Sequence, residues 1–86
     1  MDLTVNRIKL LFFATLRDRA GTRSLELDIP AGMTVKELKD KLSGDYPNLK
    51  DSMRSVLVAV NHEYVFDEAV VPEGAEVALF PPVSGG

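Results

Sequence analysis

Cysteine is absent from the chain, and that omission removes disulfides, thiolate metal sites, iron–sulfur clusters and thiol nucleophiles together. If the protein handles sulfur, no side-chain thiol can be what holds it. Histidine occurs once, as His62 between Asn61 and Glu63. It has no partners at a metal-ligand spacing and no nucleophile near it in sequence, so it reads as a solvated turn residue. The six glycines fall at turns and at the C-terminus. None sits in a G-x-G-x-x-G or P-loop arrangement, so no phosphate cradle is expected. The longest apolar run, Leu10 to Leu16 with Thr15 inside it, is far too short to span a bilayer. Arg17, Asp18 and Arg19 follow it where a secretory cleavage site needs small residues. The expected location is the cytoplasm, and no bound cofactor or metal is expected.

Ten Lys and Arg stand against thirteen Asp and Glu, a formal charge of −3. Basic residues are scattered among acids from Arg7 to Lys41, leaving no cationic stripe or aromatic platform for nucleic acid. With 86 residues, 45% hydrophobic and 27% charged, the composition is that of one globular domain. Such a chain buries roughly 60–65% of the surface exposed when unfolded. It has little depth in which to assemble a catalytic site.

Residues 1–6 carry no pattern and read as a disordered lead-in to a domain over residues 7–82. Ile8 to Ala14 is almost continuously apolar, as in a central strand covered on both faces. Thr15 to Ala20 suits a loop or one helical turn ending at Gly21. Ser24 to Ile29 alternates, placing Leu25, Leu27 and Ile29 inward, and pairs with the first strand as a hairpin. Thr34 with Glu37 three residues on is a capping box. Val35, Leu38 and Leu42 then form one apolar stripe, with Lys36, Lys39 and Asp40 opposite. Gly44 is placed to end that helix in a left-handed cap.

Tyr46 to Leu49 reads as a turn, Val56 to Val60 as a third strand, and Tyr64 to Phe66 as a short fourth. Pro72-Glu73-Gly74 closes the following loop. Glu76 to Phe80 is the last strand, stopped by Pro81 and Pro82. The first and last strands are the most apolar, so they are expected side by side in the middle of the sheet. No hairpin joins them, which permits a parallel pairing. The fold expected is α+β: a mixed sheet of about five strands with one main helix on one face, the β-grasp layout of ubiquitin-like proteins.

The C-terminal residues 83–86 are the exception to this chemical blandness. Two prolines stiffen the exit from the sheet, and the four residues beyond Pro82 reach roughly 13–14 Å when extended. Gly85 and Gly86 lack Cβ atoms and can thread a slot closed to other residues. The tip presents only the Gly86 α-carboxylate. That group is a poor electrophile until adenylated, after which a sulfur donor would leave a thiocarboxylate. Parity adds a second feature. With Ile8, Leu10 and Phe12 facing the helix, Phe13 faces away, as does Phe80 if Val77 and Leu79 point inward. Phe13 and Phe80, with Tyr64, would make an exposed apolar patch beside the tail, and such patches mark partner surfaces.

Phe80-Pro81-Pro82-Val83-Ser84-Gly85-Gly86 resembles the C-terminal signature of the molybdopterin synthase small-subunit family, also called molybdopterin-converting factor small subunits. Leu10-Leu11-Phe12-Phe13-Ala14 followed by Leu16-Arg17 is similar to that family's first strand and turn. Glu76-Val77-Ala78-Leu79-Phe80 is similar to its last strand. The resemblance spans about residue 7 to 86 and implies a ubiquitin-like sulfur carrier. By that implication an E1-like adenylyltransferase uses ATP to adenylate Gly86, and a sulfurtransferase converts it to the thiocarboxylate. Pro82, Val83, Ser84, Gly85 and Gly86 then insert into the large synthase subunit, in a heterotetramer of two small and two large subunits. Sulfur passes to cyclic pyranopterin monophosphate to form the molybdopterin dithiolene. Phe13, Tyr64 and Phe80 would serve docking, and the chain would be a co-substrate and no enzyme by itself. The alternatives are a thiamine-pathway sulfur carrier, a ubiquitin-like modifier conjugated through Gly86, and a β-grasp domain with an inert tail.

Overall fold

A computed structural model describes residues 4–82. The elements run β1 (Val5–Phe12), α1 (Thr15–Ala20), β2 (Ser24–Pro30), α2 (Val35–Asp45), two 3-10 turns (Pro47–Leu49 and Ser52–Arg54), β3 (Leu57–Val60), β4 (Glu63–Val65) and β5 (Glu76–Phe80). They build a five-stranded sheet of order β2-β1-β5-β3-β4. β1 and β5 run parallel at its centre, Leu10 opposite Val77 and Phe12 opposite Leu79. The other pairings are antiparallel. This is the β-grasp arrangement, with the expected central pair.

The core follows from strand parity. Ile8, Leu10 and Phe12 of β1 and Val77 and Leu79 of β5 are buried on one side of the sheet, against Val35, Leu38 and Leu42 of α2. Each such side chain contributes about 1.5–3 kcal/mol relative to remaining in water. Among the described residues the opposite face carries no helix. Arg7, Lys9 and Phe13 are exposed there, so β1 is covered on one face, not two. An apolar sequence run masked that asymmetry: Leu11 belongs to the open face and is half-buried only by its neighbours.

The capping box forms as expected. The Thr34 hydroxyl accepts the Glu37 N–H at 3.2 Å, and the Glu37 carboxylate accepts the Thr34 N–H at 2.9 Å. The next two orphan donors of α2 are met by the loop after β4: Val35 N–H donates to Ala69 O at 2.8 Å and Lys36 N–H to Asp67 O at 3.0 Å. These bonds pin that loop across the helix start.

β3 begins at Leu57 and β4 spans Glu63–Val65, each one residue from the sequence reading; three larger differences stand out. β1 starts at Val5, so Val5 and Asn6, read as part of the lead-in, pair with Pro30 and Ile29 of β2. The ladder with β2 extends them although they contribute little core. Second, Gly44 does not end α2. The helix passes through it to Asp45, and its cap is Tyr46, whose N–H donates to Leu42 O at 2.8 Å. The terminator is Pro47, which forces the preceding residue out of the helical region; Tyr46 lies at φ −127°, ψ 84°. Third, the stretch between α2 and β3 contains two 3-10 turns that bury Leu49 and Met53.

Gly44 is therefore an exposed glycine inside a helix, with open space where a Cβ would stand. A Gly44→Ala variant should gain about 0.5–1 kcal/mol in urea-unfolding stability. A loss of stability would show that this position needs a glycine-only backbone.

Candidate functional site

β5 is central, so the C-terminal segment leaves from the middle of the sheet at one end of its open face. Gly85 and Gly86, with Val83 and Ser84, lie outside the described residues. Pro82, also assigned to tail insertion, is exposed at the last described position. What the structure describes is the surface at the root of this tail.

Phe80 is the hinge of that surface. Its ring stacks on Phe13 with centroids 4.6 Å apart and planes 13° from parallel. Tyr64 leans on it at 6.2 Å with a 58° tilt. The three residues that parity selected are thus neighbours. Register explains why: β1 lies parallel to β5, and Phe13 N–H donates to Leu79 O at 3.2 Å just beyond the last strand pair. On the other side Leu57 of β3 is opposite Phe80, and Ala59 is opposite both Ala78 and Tyr64. Phe13 remains 41% exposed and Tyr64 71%, so the rings shield one another only in part.

Sequence reasoning missed Leu57, which is exposed beside Phe80. The signal was present, since Leu57 and Ala59 share parity, but five consecutive apolar residues concealed which faced out. Phe66 was read as strand and not as surface, although Tyr64-Val65-Phe66 alternates and Phe66 is 85% exposed. β4 ends at Val65, and Phe66 follows it.

The far end of the same face is polar. Arg7 donates from Nε to Asp28 at 2.9 Å and approaches Glu26 at 3.4 Å. The Asp28 hydrogen bond, and then its charge, raise the guanidinium pKa further, so Arg7 is a fixed cation. Asn61 and His62 form the two-residue turn between β3 and β4, both at positive φ (51° and 76°) as a type I′ hairpin requires. The Asn61 amide oxygen accepts the Glu76 N–H at 2.9 Å, lengthening the β3–β5 register by one residue. His62 is exposed and lies 3.2 Å from the Glu76 carboxylate, a solvated turn histidine. Among the described residues no group of three or more His, Cys, Asp or Glu side chains could hold a metal ion. No helix among them is long and apolar enough to cross a membrane.

Aromatic side chains on one end of an uncovered sheet, beside the central strand that leads into the C-terminal segment, define a ubiquitin-like β-grasp protein with an exposed aromatic surface at that strand's end. A model of the ThiS family matches residues 10–86, and the chain belongs to that family. It is 38% identical over 85 residues to a protein of Arabidopsis thaliana named molybdopterin synthase sulfur carrier subunit, covering 99% of this chain and 88% of that one. A human protein of the same name is 31% identical over 83 residues, 93% of this chain and 94% of its own length. Among solved structures, SAMP1 of Haloferax volcanii, a small archaeal modifier protein, superposes with a TM-score of 0.78 at 32% identity. That match covers 94% of this chain and all of the other.

One residue at the patch is under backbone strain. Ala14 follows Phe13 with φ 53° and ψ −129°, near the first central position of a II′ turn, which glycine favours. The turn is closed by Leu16 N–H donating to Phe13 O at 3.1 Å, and it leads directly into α1. Ala14→Gly should raise stability by about 1 kcal/mol, strain relief offset by glycine's greater unfolded-state freedom. Urea denaturation checks it; a loss would mean that the Ala14 methyl group stabilises the turn.

Proposed function

We propose that this chain is the sulfur carrier subunit of a molybdopterin synthase, working in the cytoplasm, with the Gly86 carboxylate as its one reacting group. The similarity to named sulfur carrier subunits over nearly full length supports this reading. So does the Phe13–Phe80–Tyr64 surface at the root of a Pro-Pro-Val-Ser-Gly-Gly end. That surface is the observation that carries it, because exposed aromatic rings clustered beside a tail mark a partner surface.

The chemistry follows from the carboxylate. An E1-like adenylyltransferase joins it to the α-phosphate of ATP and releases pyrophosphate, supplying the leaving group that oxide cannot be. A persulfide on a sulfurtransferase then attacks the acyl carbon and AMP departs, leaving an acyl disulfide; a second thiol of the sulfurtransferase attacks the donor's sulfur, forming a disulfide there and releasing the thiocarboxylate. ATP is consumed by the activating partner, and this chain holds no cofactor of its own. Pro82 to Gly86 insert into the large subunit, where sulfur passes to cyclic pyranopterin monophosphate and water restores the Gly86 carboxylate. A dithiolene needs two sulfurs, so each substrate molecule consumes two loaded carriers; the assembly is a heterotetramer of two small and two large subunits. The substrate pocket belongs to the large subunit, so this chain is a co-substrate and not a catalyst.

Incubation with ATP, the adenylyltransferase and a sulfur source, followed by intact mass spectrometry, should show one sulfur replacing one oxygen at the C-terminus. Deleting Gly86 should abolish that mass gain and leave the fold intact. A truncated protein that still restored molybdoenzyme activity would rule out the carrier mechanism. Phe13→Ala and Phe80→Ala should each weaken large-subunit binding by about 2 kcal/mol or more, roughly thirtyfold. Stacking accounts for only about 1 kcal/mol of folding stability. Binding losses that merely follow the stability losses would identify the rings as core.

A second reading, a modifier joined to other proteins through Gly86, is favoured by the likeness to SAMP1. Immunoblots for Gly86-dependent conjugate ladders separate it from the carrier reading.

A further inference from the structure

The apolar surface does not stop at Tyr64. It turns around the free edge of the sheet into a groove of about 290 Å³, where Leu57, Tyr64 and Phe66 stand over the buried Val56 and Val58. Tyr64 and Leu57 belong to both surfaces, so the groove continues the aromatic patch. At its far end lie Lys39 and Asp67, paired at 2.6 Å, with the Lys39 side chain only 15% exposed. The same two residues line a second cleft of about 420 Å³, with Lys36, Lys50, Arg54 and Asp40. Groove and cleft form one strip.

Charge along this strip runs against that of the molecule. The chain carries −3 overall, yet the cleft gathers four cations against two carboxylates. Lys36 holds Asp40 at 3.0 Å and Lys39 holds Asp67. Among the described residues Lys50 and Arg54 have no carboxylate partner. Among the described residues β4 ends the sheet and pairs only with β3. Its two-residue turn makes Val60–Glu63 a hydrogen-bonded pair, so antiparallel alternation leaves the Tyr64 N–H and C=O facing the open side.

We propose that this strip is a second docking site, for an extended segment of a partner protein with a few aliphatic residues followed by a run of acidic ones. The aliphatic part lies along β4 against Leu57 and Phe66, and the acidic part over Lys36, Lys50 and Arg54. Strand addition at a three-residue edge supplies few backbone bonds, so the apolar anchor and the charge carry the affinity. A polyanion without an apolar part leaves the groove empty and meets a negatively charged molecule overall. The site makes no use of Gly86 and stands whether or not that residue carries sulfur.

The test uses the 15N-labelled full chain and the peptide acetyl-Val-Ile-Val-Asp-Asp-Glu-Glu-amide. Amide shifts are expected at Lys39, Leu57, Phe66 and Arg54, with a Kd on the order of 100 µM, a weak, transient contact. Replacing the acidic residues by lysine should weaken binding at least about tenfold. Phe66→Ser and Arg54→Glu should each weaken it about fivefold or more with thermal stability unchanged, since both side chains are exposed. Lys50→Glu repeats the charge test if either variant unfolds. Absence of shifts at millimolar peptide would overturn the proposal. So would shifts confined to Phe13 and Phe80, or inorganic phosphate reproducing the cleft shifts at equal affinity.

Discussion

The parallel pairing of β1 with β5 is the constraint on which the rest depends. It places the first and last strands side by side in the sheet. It thereby sets Phe13, at the end of β1, against Phe80, at the end of β5. It also sends the C-terminal segment out from the centre of the sheet instead of from an edge. Breaking this pair would lose core contacts of Leu10, Phe12, Val77 and Leu79 and the Phe13–Phe80 stack in one event. Core and aromatic surface share the same ladder here.

Helix α2 determines which face is left for function. Its capping box and the Val35–Leu38–Leu42 stripe commit it to one side of the sheet. The loop after β4 then fastens its first turn through the Val35 and Lys36 amides. The other side keeps its outward residues in contact with solvent. There a gradient appears, from the Arg7–Asp28–Glu26 cluster at one end to stacked aromatic rings at the other. The aromatic end lies where a partner must be held if it is to receive the tail.

Much of this was legible in the sequence, for identifiable reasons. The capping box, the alternation of Ser24 to Ile29 and the two most apolar strands each carry one physical meaning, so β2, α2 and the central pair follow from them. Phe13, Tyr64 and Phe80 could be grouped because parity is rigid once one inward residue is known. Where apolar residues run together, parity is hidden. Leu57 is lost for that reason, and β1 reads as covered on both faces. Gly44 misled because glycine signals a helix end only when nothing nearby signals it more strongly, and Pro47 does. The 3-10 turns at Pro47–Leu49 and Ser52–Arg54 have no periodicity long enough to read. The cationic cleft joins residues from separate elements and needs the fold before it exists.

The proposed carrier divides labour between a tail that reacts and a folded face that delivers it. Its most direct test is single-turnover sulfur transfer to cyclic pyranopterin monophosphate on the large subunit. Two donors are compared at equal micromolar concentration: the thiocarboxylated full chain, and a thiocarboxylated peptide of residues 81–86. Delivery from the full chain only is the expected result, with the peptide recovering at concentrations higher by about a hundredfold or more. Equal rates from the two donors would rule out this division of labour, because the folded face would then contribute nothing to transfer.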